Sequence, residues 1–324
     1  MFQKGWAAFY RPYFGKNCSS VVKTFPLKTM AIGYACINLT LQEKGLFCTK
    51  NMTRKTWLEK GLPYASQLGL RNVTALMHIL DWNIANGIGI FRMTSDLFPW
   101  HSEYQLEELP DFRLIRATLE ECGKKPIRIT VHPGPFNKLA GEGQTLENTI
   151  QELENHSRIF DLMGLAPSHW NKINIHVGGV YGDKALALKR FAENFRRLSP
   201  NAQKRLTVEN DDKGGLYSVR DLVPLAKETG IPIVFDYFHH SLHPDGFSEK
   251  EAFLAAYDTW GVKPVFHYSS SRREYEDCNA RREAHSDWVY DEINTYGKDV
   301  DIMLETKMKE LALLRHREAT GRNA

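Results

Sequence analysis

Eight short apolar runs recur along this chain, and their spacing favours one architecture above others. They are Ala31–Ile37, Ile88–Arg92, Ile127–Val131, Lys172–Ile175, Arg205–Val208, Ile231–Phe235, Pro264–Phe266 and Asp299–Leu304. Each is β-branched or aromatic in character and bounded by Gly, Pro, Asn or Asp, as strands buried on both faces are. Successive runs begin 26 to 57 residues apart, which leaves room for a helix and two loops. Such alternation builds parallel βαβ units. Eight of them predict an α/β fold, a TIM (β/α)8 barrel, in a single domain. With 324 residues and 42% hydrophobic content the chain can fill such a core.

The intervals carry helix signals. Thr53 is placed to cap a helix through Trp57 and Leu68, with a break expected at Gly61-Leu62-Pro63 and an end at Gly87. Thr145–Leu162 closes at Gly164, Asp183 opens 185–198, and Ser218 and Ser248 open two more. His285–Tyr296 and Lys307–Arg317 read as the last two. Two long connections stand out. Thr94–Asp111 holds Phe98, Trp100 and Tyr104, and reads as an open aromatic loop. Ser269–His285 holds Arg272, Arg273, Arg281 and Arg282, which suit phosphate contact; Glu274, Glu276, Asp277 and Glu283 partly offset them, and a mixed-charge solvated loop is the plainer alternative.

Six of the eight runs end on a histidine or a carboxylate: His132, His176, Glu209, Asp236 (with His239 just beyond), His267 and Glu305. A barrel gathers its strand C-termini at one face, so these residues converge. With His285 they number five imidazoles and three carboxylates, too many for one ion. Two or three divalent ions are expected, with a carboxylate bridging. Nitrogen and oxygen ligation without sulfur suits Mn2+, Zn2+, iron or Co2+ better than Mg2+ alone. Adjacent ions suit phosphodiester hydrolysis, since they activate water and neutralise the phosphoryl and departing 3′-oxygens.

Composition narrows the setting. A net charge of +3 permits nucleic acid without demanding it, and a mean hydropathy of −0.42 with no long apolar run excludes a membrane span. Five scattered cysteines suit a reducing, intracellular compartment rather than secretion. Residues 1–30 are basic and free of acid, which reads as a disordered or targeting-like extension, or as translation that starts at Met30. The barrel domain is expected over 31–316, with a tail at 317–324, and the protein is expected to be a monomer.

Several segments together resemble the ultraviolet-damage endonuclease (UvdE) family, from about Ile32 to about Leu314. They include Gly33-Tyr34-Ala35-Cys36-Ile37-Asn38, Phe91-Arg92-Met93-Thr94-Ser95, His132-Pro133-Gly134 and the run from Asn174 to Gly182. Glu209-Asn210-Asp211-Asp212, His267-Tyr268-Ser269-Ser270 and Leu304-Glu305-Thr306-Lys307 complete the order. The resemblance implies a metal barrel of the xylose-isomerase and apurinic-endonuclease type, a manganese-associated cofactor, and damaged double-stranded DNA as substrate. It implies hydrolysis immediately 5′ of ultraviolet photoproducts, leaving a 3′-hydroxyl and a 5′-phosphate. By similarity His132, His176 and Glu209 would hold one ion, Glu209, Asp236, His267 and Glu305 a second, and His239 and His285 would serve a third. Tyr34 and Asn38 would act as lesion-reading side chains wedged into the duplex. The plainer alternative for Tyr34 is a core aromatic.

Three positions depart from the family pattern. Pro135 and Phe136 stand where some members carry a probing Gln-Tyr pair, and Phe136 keeps only the capacity to stack. Val265 stands where some members carry a modified lysine; Lys263 lies two residues earlier, ~7 Å farther down the strand. Glu103 stands at a family histidine position and is taken as a metal ligand, with His101 as the competing group. An apurinic-site endonuclease is the alternative function, and a sugar isomerase or epimerase is a more distant one.

Overall fold

A computed structural model describes residues 30–321. The basic segment at 1–29, with its targeting or early-start expectations, lies outside the described residues, as do 322–324. Eight parallel strands run in the order β6-β5-β4-β3-β2-β1-β8-β7. They are β1 (Ile32–Ala35), β2 (Ile90–Met93), β3 (Arg128–Val131), β4 (Ile173–Ile175), β5 (Leu206–Glu209), β6 (Ile233–Val234), β7 (Val265–Tyr268) and β8 (Asp301–Leu304). The seam between β6 and β7 is closed by a single parallel bridge, Asp236 to His267, and by the His267 amide donating to the Phe235 carbonyl at 2.9 Å. The chain therefore forms the TIM barrel that the strand spacing predicts.

Side-chain alternation divides the core into two layers. Ile90, Val265 and Met303 meet inside the barrel with Ala31 against them. Gly33 shares that inward face: a Cβ there would lie 2.4 Å from the Ile90 carbonyl oxygen, so only glycine fits. The opposite parity packs outward on the helices, and Tyr34 and Phe91 meet edge-on there with ring centroids 5.1 Å apart.

Helices follow their caps. The Thr53 side chain accepts from the Thr56 amide and opens Arg54–Ala85, and Gly61 breaks that helix at φ 54° just before Pro63. Asp183, Ser218 and Ser248 cap as expected. A helix at Phe112–Gly123, absent from the sequence expectations, fills the interval before β3. The helix expected at His285–Tyr296 does not form. That stretch is tied instead to the loop before it: Ser271 bridges to His285, and Asp291 accepts from Ser270 Oγ at 3.0 Å and from the Tyr275 hydroxyl. The last helix is Lys309–Thr320, which runs past the boundary expected at 316. Among the described residues no helix is long and apolar enough to cross a membrane.

Candidate metal centre

Strand alternation builds the site from below. Lys172, Asn174 and His176 alternate inward along β4, and Thr207 and Glu209 do so along β5. Thr207 Oγ1 donates to Asn174 Oδ1 at 2.8 Å, and Asn174 Nδ2 donates to Glu209. Glu209, wholly buried, is the hub. Its Oε2 lies 3.1 Å from His132 Nε2 and 3.0 Å from His267 Nδ1, and its Oε1 lies 3.2 Å from His239 Nδ1. His267 Nδ1 also faces Glu305 Oε1 at 3.2 Å.

Two groups of donor atoms lie within 4.8 Å of one another: His132, His176 and Glu209, and then Glu209, Asp236, His267 and Glu305. His239 and His285 stand at the edge, with ring centroids 6.0 Å apart, and His285 Nδ1 is 3.9 Å from Glu305 Oε2. Glu209 Oε1, Asp236 Oδ2 and His267 Nδ1 are buried and make no well-aligned hydrogen bond, although ionisable neighbours face Glu209 and His267 at 3.0–3.2 Å. Buried polar atoms without aligned partners are costly unless a cation takes them up. The donor set therefore fits divalent ions, with Glu209 common to both groups.

Electrostatics follow the same hub. Burial alone would raise Glu209, but the facing His267 and His176 imidazoles outweigh it and hold it well below the carboxylate range. Burial would lower His176, yet the Glu209 and Asp211 carboxylates lift it to about 9. Burial wins at His132, which falls to about 4, and at Asp236, which rises to about 6.

Other expected residues lie elsewhere. Glu103 is exposed on a one-turn 3-10 helix and belongs to neither donor group, so the metal-ligand assignment is corrected. His101 turns away too, packing between Phe98 and Tyr104 with ring centroids 5.6 and 5.8 Å apart. The open aromatic loop is also corrected: Phe98 and Tyr104 are buried, and Trp100 Nε1 donates to the Met52 carbonyl at 3.0 Å. Tyr34 and Asn38 are buried rather than poised on the rim. Pro135 and Phe136 are exposed, as are Arg273, Arg281 and Arg282. Lys263 is held by Asp299 and Asp301, each at 2.8 Å, away from the donor groups.

Comparison with known proteins settles the family. The UV-endonuclease UvdE family model matches residues 30–320. The chain belongs to the UvdE family. A UV-damage endonuclease of Schizosaccharomyces pombe is 34% identical over 87% of this chain, which spans 49% of that protein. A UV DNA damage endonuclease of Clostridium perfringens is 30% identical over 88% of the chain and 69% of its own length. The crystal structure of SacUVDE superposes with a TM-score of 0.77 at 30% identity, covering 91% of this chain and 99% of that one. Endonuclease IV from Thermus thermophilus, at 17% identity, TM-score 0.51 and coverage of 77% and 95%, shares the fold.

In this UvdE member the donor groups also touch residues not named as site residues from the sequence. Asp211 Oδ1 lies 3.1 Å from His176 Nδ1. Arg92 is tied to Glu305 inside the barrel. Lys172, 1% exposed, places Nζ 3.0 Å from His267 Nε2, and burial pushes its amine well below the lysine range. The signal for Lys172 is its position four residues before His176, on the same strand face.

Proposed function

We propose that this protein is a metal-dependent DNA-repair endonuclease. It hydrolyses the phosphodiester immediately 5′ of ultraviolet photoproducts in duplex DNA and leaves a 3′-hydroxyl and a 5′-phosphate. The observation that carries this is the Glu209-centred donor cluster, set where the barrel strands end, in a chain of the UvdE family. Its relatives bear the name UV-damage endonuclease.

His132, His176, Glu209, Asp236, His267 and Glu305 would hold the ions, with His239 and His285 at the edge. Divalent ions there, Mn2+ first among them, would supply an activated water for in-line attack and neutralise charge on the phosphoryl oxygens and the leaving 3′-oxygen. The chain itself prepares that chemistry. Arg92 anchors Glu305, and Asn174 anchors Glu209, so the two carboxylates keep fixed positions. Ser269 Oγ lies 2.7 Å from His285 Nδ1 and sets that ring. Phe136 stands 86% exposed, free to stack on a base displaced from a distorted duplex. Arg273, Arg281 and Arg282 offer phosphate contacts on the loop after β7.

The test is nicking of an end-labelled duplex with one thymine dimer, in Mn2+, beside abasic and undamaged duplexes. A cut immediately 5′ of the dimer, abolished by chelator, is expected. A cut only at the abasic site would replace this function with apurinic-site cleavage.

A further inference from the structure

One buried lysine amine touches the donor cluster without belonging to either group of donors. Lys172 enters the barrel from β4, and its Nζ ends 3.0 Å from His267 Nε2. The other ring nitrogen, Nδ1, lies 3.0 Å from Glu209 Oε2 and 3.2 Å from Glu305 Oε1. The His267 ring, 1% exposed at its side chain, is thus held from both ends. The carboxylate end belongs to both Glu209 and Glu305 and would change when cations arrive. The lysine end carries no member of either donor group.

Stability alone does not explain Lys172. Burying a lysine amine carries a desolvation cost that an apolar side chain of similar length would avoid. Burial is the largest influence on that amine; Glu209 and Glu305 oppose it, and Arg92 and Arg128 add to it. By contrast, a histidine that binds metal commonly has its second nitrogen fixed by a neighbour, which sets the ring orientation.

We propose that Lys172 is the positioning residue for His267, gripping Nε2 so that Nδ1 stays turned into the Glu209–Glu305 pair as a metal-facing donor. This rests on the metal assignment of the cluster. Removing the grip lets the ring turn over about Cβ–Cγ, which swaps Nδ1 for a carbon at the cation position. The conservative change is Lys172→Met, which keeps length and volume and removes the nitrogen.

Mn2+ affinity of the full chain is the measurement, by titration against a fluorescent chelator, in a double-mutant cycle with His267→Gln. Lys172→Met is expected to weaken Mn2+ binding ~10–100-fold. In the His267→Gln background the same change is expected to cost less than about twofold, because the ring it positions is gone. Circular dichroism checks folding, and Lys172→Gln, too short to reach the ring, serves if the methionine variant does not fold. Native affinity in Lys172→Met, or losses that multiply in the double variant, would overturn the proposal and leave the metal assignment standing. A native chain that binds no Mn2+ would instead overturn the metal assignment, and the positioning role with it.

Discussion

The end of β1 and the loop after β3 each carry an aromatic residue, one within a family motif and one that departs from it, and the two have opposite fates. Tyr34 is wholly buried, whereas Phe136 is 86% exposed. Parity explains the first. Ala31 and Gly33 face the barrel interior, so Tyr34 must face the helices. Its hydroxyl donates to Asn83 Oδ1 at 2.6 Å and accepts from Asn38 Nδ2 at 2.8 Å. Asn38 Oδ1 then accepts from the Leu41 amide and caps a short helix. Tyr34 and Asn38 thus shape the loop after β1. Phe136 lies past the end of its strand, where alternation no longer dictates direction. The residue inside the strand is committed to packing, and the one beyond the strand is left exposed.

The cluster beneath both regions sets the scale for any test of that contrast. Glu209→Gln keeps the shape and removes the charge that serves both donor groups. Cleavage of the dimer duplex is expected to fall on the order of 10²–10³-fold or more, with DNA binding retained in a gel-shift assay. Near-normal cleavage would separate the cluster from the chemistry.

Next in size is Phe136→Ala. Base–aromatic stacking is worth about 1–3 kcal/mol, so preference for damaged over intact duplex is expected to drop by about 5- to 150-fold. Folding should be untouched, because the side chain is exposed. Tyr34→Phe is the counterpart. It strips two hydrogen bonds from a buried site and should cost about 1–3 kcal/mol in urea unfolding, with discrimination unchanged. If Tyr34→Phe loses discrimination at native stability, the division between platform and reader collapses.

The same physics explains what was legible in the sequence. Strand ends carrying His132, His176, Glu209 and Glu305 were readable because a barrel sends all of them to one face. Lys172 was hidden by its type: a lysine at the start of a run reads as a solvated flank, and only parity with His176 places it inside. The stretch from His285 to Tyr296 has helical spacing, but Asp291 bonds Ser270 and Tyr275, and such side-chain partners compete with helix. Glu103 matched a motif position by counting from Pro99, yet the 3-10 turn at His101–Glu103 points it to solvent.

His101 gives the smallest test, and it probes the platform side of the contrast. Burial lowers its pKa to about 4, with His156 adding to the shift and Glu152 and Glu107 opposing it. The unfolded chain titrates near 6.5, so the folded state binds fewer protons between the two values. Its contribution to stability is full above pH 6.5 and declines as pH falls toward 4. Between pH 6.5 and 5 native protein should lose about 1–2 kcal/mol more than His101→Gln, measured as unfolding free energy at each pH. Mn2+ should leave that difference in place, because His101 lies outside both donor groups. A difference that vanishes on adding Mn2+ would bring His101 into the metal centre and move the loop after β2 from platform to site.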